Sequence, residues 1–79
     1  MILEKLKRME GFTHQEQAVA RYILDHVEEI QQMSTEELAR VSYTSKATVV
    51  RLCKKLEVEG YQELKLKLVS EMVQNIRVN

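Results

Sequence analysis

A cluster of basic side chains is the feature of this chain that most clearly indicates the kind of partner it binds. The segment from residue 38 to residue 56 holds five bases and no acid, whereas the other sixty residues hold twelve acids and seven bases. A surface of one charge sign is typical of proteins that bind the phosphates of DNA. The five bases are Arg40, Lys46, Arg51, Lys54 and Lys55. They predict double-stranded DNA as the partner.

An apolar stripe in the same segment indicates how these bases are presented. Val49, Leu52, Cys53 and Leu56 recur at i, i+3, i+4 and i+7, which places them on one side of a helix that must face a core. The other side then carries small and basic residues, and a helix of that kind fits a major groove about 12 Å wide. The outward residues are Lys46, Ala47, Val50, Arg51 and Lys54.

Four of these outward side chains are predicted to touch base edges. Arg51 can donate two hydrogen bonds to guanine O6 and N7, and Lys46 can donate one to the same acceptors. Ala47 and Val50 are apolar at exposed positions, where they can contact thymine methyl groups. We therefore expect sequence-specific recognition rather than attraction to phosphate alone.

The remaining candidates are predicted to contact the phosphate backbone. Ser45 and Thr48 lie at the start of the helix, where free amide groups also attract anions. Three further bases are expected to add sequence-independent attraction, with Arg40 on the preceding helix that crosses the backbone. These three are Lys54, Lys55 and Arg40.

Capping signals mark where the helices begin. Thr13 and Glu16 have the spacing of a capping box, and Ser34 and Glu37 form a second one. Ser45 is placed to cap the next helix. With the apolar spacing, these signals predict five helices: residues 2–9, 13–26, a third from 34, 45–56, and about 61–76. The predicted fold is all-α, a five-helix bundle with a helix-turn-helix made of helices three and four.

The length and composition exclude several classes of protein. Seventy-nine residues without Pro suit one small domain, residues 1–79, with no room for a separate substrate domain. Cys53 is alone, and His14 and His26 have no suitably spaced third ligand, so we expect no metal, cofactor or catalytic site. Apolar runs are too short for a membrane span or signal peptide, which favours a cytoplasmic protein.

A longer pattern of residues resembles a known family. The run SKATVVRLCKKL at residues 45–56, Leu38-Ala39 before it and Gly60-Tyr61 after it are similar to the N-terminal domain of the RpiR family of bacterial transcriptional regulators. Residues 13–30 resemble the family's second helix, so the likeness covers nearly the whole chain. Ser45, Lys46, Thr48 and Arg51 match the family's DNA-contacting stretch.

The resemblance implies a function beyond what the residues show. Members regulate genes of sugar or amino-sugar catabolism, and usually carry a C-terminal domain that binds a phosphosugar. The resemblance implies that these 79 residues are a DNA-binding fragment without that domain. It does not decide between repressor and activator.

Two glycine positions of the family pattern differ in this chain. Tyr43 stands in the turn before the predicted fourth helix, called the recognition helix because it is expected to enter the major groove, and Glu57 follows that helix. A tyrosine at positive φ costs of order 1 kcal/mol, which leaves open a turn of a different build. Glu59 also replaces a frequent lysine, and we expect no DNA contact from residues 57–59.

The fifth helix has more apolar surface than its core stripe requires. The stripe is Leu64, Leu68, Met72 and Ile76, and further apolar residues lie at Leu66, Val69 and Val73. The extra surface is compatible with a wide core, a connector to an effector domain, or self-association. Family members commonly assemble as dimers, and we expect a homodimer through helix five, helix one (Ile2, Leu3 and Leu6), or both.

A second class of function also fits the basic face. A helical adaptor module can use such a surface to dock an acidic protein partner. A DNA reader prefers one duplex over random duplex and weakens steeply with salt, whereas an adaptor shows no duplex preference. An enzyme is the least supported class, because no catalytic constellation is apparent.

Overall fold

The protein is described here by a computed structural model that covers the backbone of residues 1–78 and the side chains of residues 1–74. All regular elements in this part of the chain are helical, which confirms the predicted all-α fold with five α-helices. They are α1 (Ile2–Arg8), α2 (His14–Asp25), α3 (Thr35–Val41), α4 (Lys46–Lys55) and α5 (Tyr61–Val78), with a 3₁₀-helix at Glu29–Gln32 between α2 and α3.

Both predicted capping boxes are present. The Thr13 hydroxyl accepts from the Glu16 N–H at 3.2 Å, and the Glu16 carboxylate accepts from the Thr13 N–H at 2.9 Å. Ser34 and Glu37 exchange the same two bonds at 3.1 and 3.0 Å. Ser45 caps α4 by accepting from the Thr48 N–H at 3.2 Å. Each cap satisfies amides that the first turn leaves unpaired, so the starts of α2, α3 and α4 are fixed locally.

The apolar stripe of α4 lies in the centre of the core. Val49, Leu52, Cys53 and Leu56 are buried, as their spacing predicted. Each fully buried aliphatic side chain contributes about 1.5–3 kcal/mol relative to an exposed one. The surrounding core residues come from every other α-helix of the fold: Leu6, Val19, Ile23, Leu38, Leu64 and Leu68. α4 is therefore held in one rotational setting by its neighbours.

Several hydrogen bonds tie helix α5 to the rest of the fold, among them those of Tyr61 and Glu71. The buried Tyr61 hydroxyl donates to the Ile30 carbonyl at 2.9 Å, and burial raises the pKa of Tyr61 to about 12. Further along the helix, the Glu71 carboxylate accepts from the N–H groups of Ile2 and Leu3 at 2.8 and 2.9 Å. Glu71 thereby supplies the acceptor that α1 lacks at its own start.

The role suggested for helix one in dimer formation needs correction. Ile2 and Leu6 are buried in the core of the same chain, and Leu3 packs against that core. The apolar side of α1 is consequently used within the domain. On α5, Leu64 and Leu68 are buried as the stripe predicted, whereas the Ile76 side chain lies outside the described residues.

The ends of α3 and α4 share one geometry. Tyr43 follows α3 with φ 58° and Glu57 follows α4 with φ 62°. The Tyr43 N–H donates to the Arg40 carbonyl and the next N–H, of Thr44, donates to the Ala39 carbonyl at 2.8 Å. This is the Schellman pattern, usually built on glycine. The turn before α4 thus keeps the standard left-handed form although a tyrosine occupies it.

Replacing Tyr43 by glycine is expected to stabilise the protein. The Tyr43 side chain is 93% exposed, so little packing is lost, and glycine adopts positive φ without strain. We expect Tyr43→Gly to raise the free energy of unfolding by about 1 kcal/mol in urea titrations.

Ala47→Gly is the matched control, since Ala47 is exposed at an ordinary helical position. It should lower the stability by about 1 kcal/mol. A loss of stability in both variants would show that left-handed strain at Tyr43 is negligible.

Candidate nucleic-acid interface

The short helices α3 and α4 and their turn bring the predicted residues to one part of the surface. Helix α4 packs against α2, α3 and α5, so its remaining side faces solvent. Eight of the nine candidate residues are exposed. The eight are Arg40, Ser45, Lys46, Ala47, Val50, Arg51, Lys54 and Lys55. An exposed row of small and basic side chains along a helix has the dimensions and charge for a major groove.

Thr48 is the exception, and its predicted contact with phosphate needs correction. Its side chain is 0% exposed. The hydroxyl donates to the Gln15 side-chain oxygen at 3.2 Å, lies 3.0 Å from the Ser45 hydroxyl, and accepts from Arg51 Nη2 at 3.2 Å. Thr48 is thus a link between α2 and α4 inside the domain, with no side-chain surface for a phosphate.

Lys55 is held by the protein itself. Its Nζ donates to the Glu16 carboxylate at 2.6 Å and to the Gly11 carbonyl at 2.7 Å. A hydrogen bond between charged groups is shorter and roughly twice as strong as one between neutral groups. Lys55 is therefore the counter-ion of Glu16, and any contact with phosphate has to compete with these two bonds.

Arg51 keeps much of its surface. The side chain is 57% exposed, with Nε 3.8 Å from a Glu16 oxygen and Nη2 bonded to Thr48. The guanidinium has five N–H donors in a planar fork, so these contacts leave donors directed outward. This placement is compatible with the predicted bidentate contact to guanine.

Lys46 lies at the first turn of α4 and pairs across the turn with α3. Its Nζ is 3.0 Å from the Glu36 carboxylate, and both side chains are mostly exposed. The hydrogen bond from Lys46 is the main reason that the pKa of Glu36 lies below its ordinary value. An exposed pair of this kind is weak, so Lys46 remains free to exchange Glu36 for another acceptor.

Glu16 and Gln15 of α2 contact side chains of α4, and the sequence did not predict these contacts. The sequence indicated Glu16 as a capping residue, and the box explains its bond to Thr13 but not its contact with α4. Lys55 lies 39 residues away, and no spacing rule relates the two. The available signal was indirect: a buried carboxylate needs a cation, and α4 offers several.

Burial also acts on the ionisation of Glu16. Burial by itself would raise the pKa of this carboxyl, but the hydrogen bonds from Lys55 and the Thr13 N–H and the charges of Lys55 and Arg51 outweigh it. The net result is a pKa below the ordinary value of glutamate. Glu16 is therefore an anion at neutral pH, in contact with the recognition helix.

Cys53 lies in the core and His26 lies at the end of α2. Cys53 is buried, which raises the pKa of its thiol to about 11 and leaves it uncharged at neutral pH. His26 caps the end of α2 and stacks on Tyr22 with ring centres 4.0 Å apart. Among the described residues, no group of His, Cys, Asp and Glu is arranged to hold a metal ion. None of the described helices has the length and hydropathy to cross a membrane.

Two capped helices joined by a tight turn, the second with a basic outward face, define a DNA-binding helix-turn-helix domain. Comparison with known families assigns it more closely. The family model described as "Helix-turn-helix domain, rpiR family" matches residues 1–75, and the chain belongs to this family. The resemblance seen in the sequence is thereby confirmed.

The chain is similar to several longer regulators. It is 32% identical over 77 residues to an HTH-type transcriptional regulator of Caldanaerobacter subterraneus, and 33% identical over 57 residues to the HTH-type transcriptional regulator YbbH of Bacillus subtilis. These alignments cover 96% and 72% of the chain but 27% and 20% of the relatives. The chain thus spans about a quarter of their length.

A solved structure supports the fold. The Vibrio vulnificus NanR protein, determined in complex with ManNAc-6P, superposes with a TM-score of 0.86 at 36% sequence identity. The match covers 94% of this chain and 28% of that protein. The arrangement of the five helices is therefore shared with a protein whose solved structure holds ManNAc-6P.

The ionisation of Glu16 predicts a difference in acid stability. Because its pKa is lower in the folded than in the unfolded state, ionised Glu16 stabilises the fold at neutral pH. That contribution is lost as pH falls below about 4.3, the unfolded value, and through the lower folded-state value.

Glu16→Gln should be less stable than the unaltered protein at pH 7. Its stability should then decline less between about pH 5 and pH 3, because it lacks this titrating group. Urea unfolding at a series of pH values measures both effects. Two curves that fall in parallel would contradict the prediction.

Proposed function

We propose that this chain is the DNA-binding part of a longer bacterial transcriptional regulator that reads double-stranded DNA by placing α4 in the major groove. The observation that carries the proposal is the outward face of α4, on which small and basic residues are exposed and no acid occurs. Membership of the rpiR family and the similarity to transcriptional regulators support it. Recognition of this kind is binding rather than catalysis.

The contacts are assigned by side-chain chemistry and exposure. Arg51 reads guanine, Lys46 adds a donor near it, and Ala47 and Val50 meet thymine methyl groups. Phosphates are approached by Ser45 at the helix start, by Lys54, and by Arg40 from α3. Because Thr48 is buried and Lys55 is paired with Glu16, we propose that these two residues support the helix rather than contact DNA.

The remainder of the regulator is proposed to bind a phosphosugar. The chain spans about a quarter of its relatives, and the NanR structure contains ManNAc-6P, a phosphorylated amino sugar. We infer that the parent protein responds to a ligand of that class through a further domain. It would then regulate sugar or amino-sugar catabolism in the bacterial cytoplasm.

The two-domain proposal is tested on the parent protein. Its affinity for the preferred duplex is expected to change when a phosphorylated amino sugar is added, whereas the unphosphorylated sugar should have little effect. Equal affinity with and without both sugars would contradict the proposed effector class.

Selection from random duplex DNA tests the central proposal. The bound fragments should converge on one sequence, and a palindrome would indicate a two-fold assembly. Binding to that duplex should weaken with salt by about 0.9 in log–log slope for each phosphate contact. Convergence on no sequence, together with capture of acidic proteins, would favour the adaptor function instead.

Arg51 and Lys54 are expected to contribute differently to binding. Arg51→Ala should cost about 1–3 kcal/mol on the preferred duplex and relax the choice of one base. Lys54→Ala should weaken preferred and random duplexes alike and reduce the salt slope by about 1. Titrations by fluorescence anisotropy at several salt concentrations measure both. Equal losses on both duplexes for Arg51→Ala would contradict its role as a base reader.

The exposed apolar side of α5 is proposed as a contact between two copies of the chain. Leu66 is 72% exposed, and Val69 and Val73 follow at helical spacing on the same side. A row of exposed aliphatic side chains favours burial against a similar surface. Two joined copies would present two α4 helices to a palindromic site.

Sedimentation tests this contact. Leu66→Lys should shift the equilibrium towards monomer at high micromolar concentration, because a charge would be buried in the interface. Lys67→Gln, one position away on the helix, is the matched control and should leave it unchanged. A chain that is monomeric before any substitution would contradict the proposed contact.

A further inference from the structure

The buried carboxylate of Glu16 lies where α2 meets the recognition helix. Its side chain is 1% exposed. One oxygen accepts from the Thr13 N–H at 2.9 Å and from Lys55 Nζ at 2.6 Å. The other oxygen is buried without a hydrogen-bond partner among the described residues, and Arg51 Nε lies 3.8 Å from it. Two cations of α4 therefore converge on one anion.

The two cations stand in different relations to Glu16. Lys55 donates two short bonds, one to Glu16 and one to the Gly11 carbonyl, so it is fixed as the counter-ion that a buried carboxylate requires. Arg51 is attracted at a distance beyond a hydrogen bond and stays exposed. Of the two cations, Arg51 is therefore the one that remains able to bind a group outside the domain.

The orientation of Arg51 follows from which nitrogens face the protein. Nε lies 3.8 Å from the Glu16 oxygen and Nη2 donates to Thr48, so the edge formed by these two nitrogens is the one nearest the protein. The outer edge, formed by Nη1 and Nη2, is the edge that makes parallel hydrogen bonds to guanine O6 and N7. Thr48 is itself held by Gln15.

We propose that Glu16 is a positioning residue for DNA recognition: it binds Lys55 as an internal counter-ion and orients Arg51 so that its outer edge faces the base. The inference rests on the proposed DNA-binding function. It assigns a role in sequence preference to a residue of α2 that lies outside the helix-turn-helix pair. A carboxylate that served only to cap α2 would affect stability without affecting preference.

The two capping boxes supply a matched pair of variants. Glu16→Gln and Glu37→Gln each replace the glutamate of a capping box by its uncharged isostere, and Glu37 is exposed on α3. The measurements are the ratio of affinities for the preferred and random duplexes, and the salt slope on random DNA.

Glu16→Gln should reduce the affinity ratio by roughly threefold to tenfold, which lies in the lower part of the range for one pairwise coupling. It should also steepen the salt slope by up to about 1, because Lys55 is released towards phosphate. Glu37→Gln should change neither quantity. An unchanged ratio and slope in folded Glu16→Gln would overturn the proposal.

Lys55→Met tests the same proposal by removing the cation instead of the carboxylate. With Lys55 removed, Arg51 is the remaining cation beside Glu16 and should be drawn inward, so the affinity ratio should fall while the salt slope stays the same. A slope reduced by about 1 with an unchanged ratio would show that Lys55 is an ordinary phosphate contact and would overturn the proposal. This variant also decides the matter if Glu16→Gln fails to fold, which circular dichroism reveals.

A double-mutant cycle shows whether the effect passes through Arg51. In the Arg51→Ala background, Glu16→Gln should cause little further loss of the affinity ratio, because the group that Glu16 orients is absent. Fully additive losses would overturn the proposal. If the unaltered chain prefers no duplex, the proposed DNA-binding function is contradicted. If it prefers one duplex and the Glu16 variant has the same affinity ratio, only the proposed role of Glu16 is contradicted.

Discussion

The burial of one side of α4 is the constraint on which the surface of this domain depends. Val49, Leu52 and Leu56 are enclosed by the other helices, and a rotation of α4 by even a quarter turn would bring Arg51 or Lys54 into the core. An unpaired charge in an apolar interior is far more costly than an exposed valine. The same packing that stabilises the fold therefore determines which side chains can meet DNA.

Features set by neighbouring residues could be predicted from the sequence. Both capping boxes, the cap at Ser45 and the buried stripe of α4 depend on contacts within one or two helical turns, and spacing records such contacts directly. The contacts of Thr48 and Lys55 cross from α4 to α2, and no local rule encodes them. Exposure of these two residues could be judged only once the helices were packed.

The helix ends illustrate a second limit of sequence reasoning. Tyr43 and Glu57 occupy left-handed positions that glycine usually marks, so the ordinary signal is absent at both. The conformation is imposed by the neighbouring residues on the C-terminal side. Val58 is buried and its N–H donates to the Cys53 carbonyl at 3.1 Å, while Ser45 starts the next helix after Tyr43. Tertiary contacts and caps thus overcome an unfavourable residue type.

The anchoring of α4 at both ends has an evolutionary consequence. Ala47, Val50 and Lys54 make no side-chain hydrogen bond or ion pair within residues 1–74, and the start, end and rotation of the helix are determined elsewhere. Under the proposed function, exchanges at Ala47 and Val50 alter the chemistry offered to a base pair, and exchanges at Lys54 alter the attraction to phosphate, while the scaffold keeps its shape. Related regulators can accordingly diverge in target sequence through a few exchanges on one helix, without rebuilding the domain that carries it.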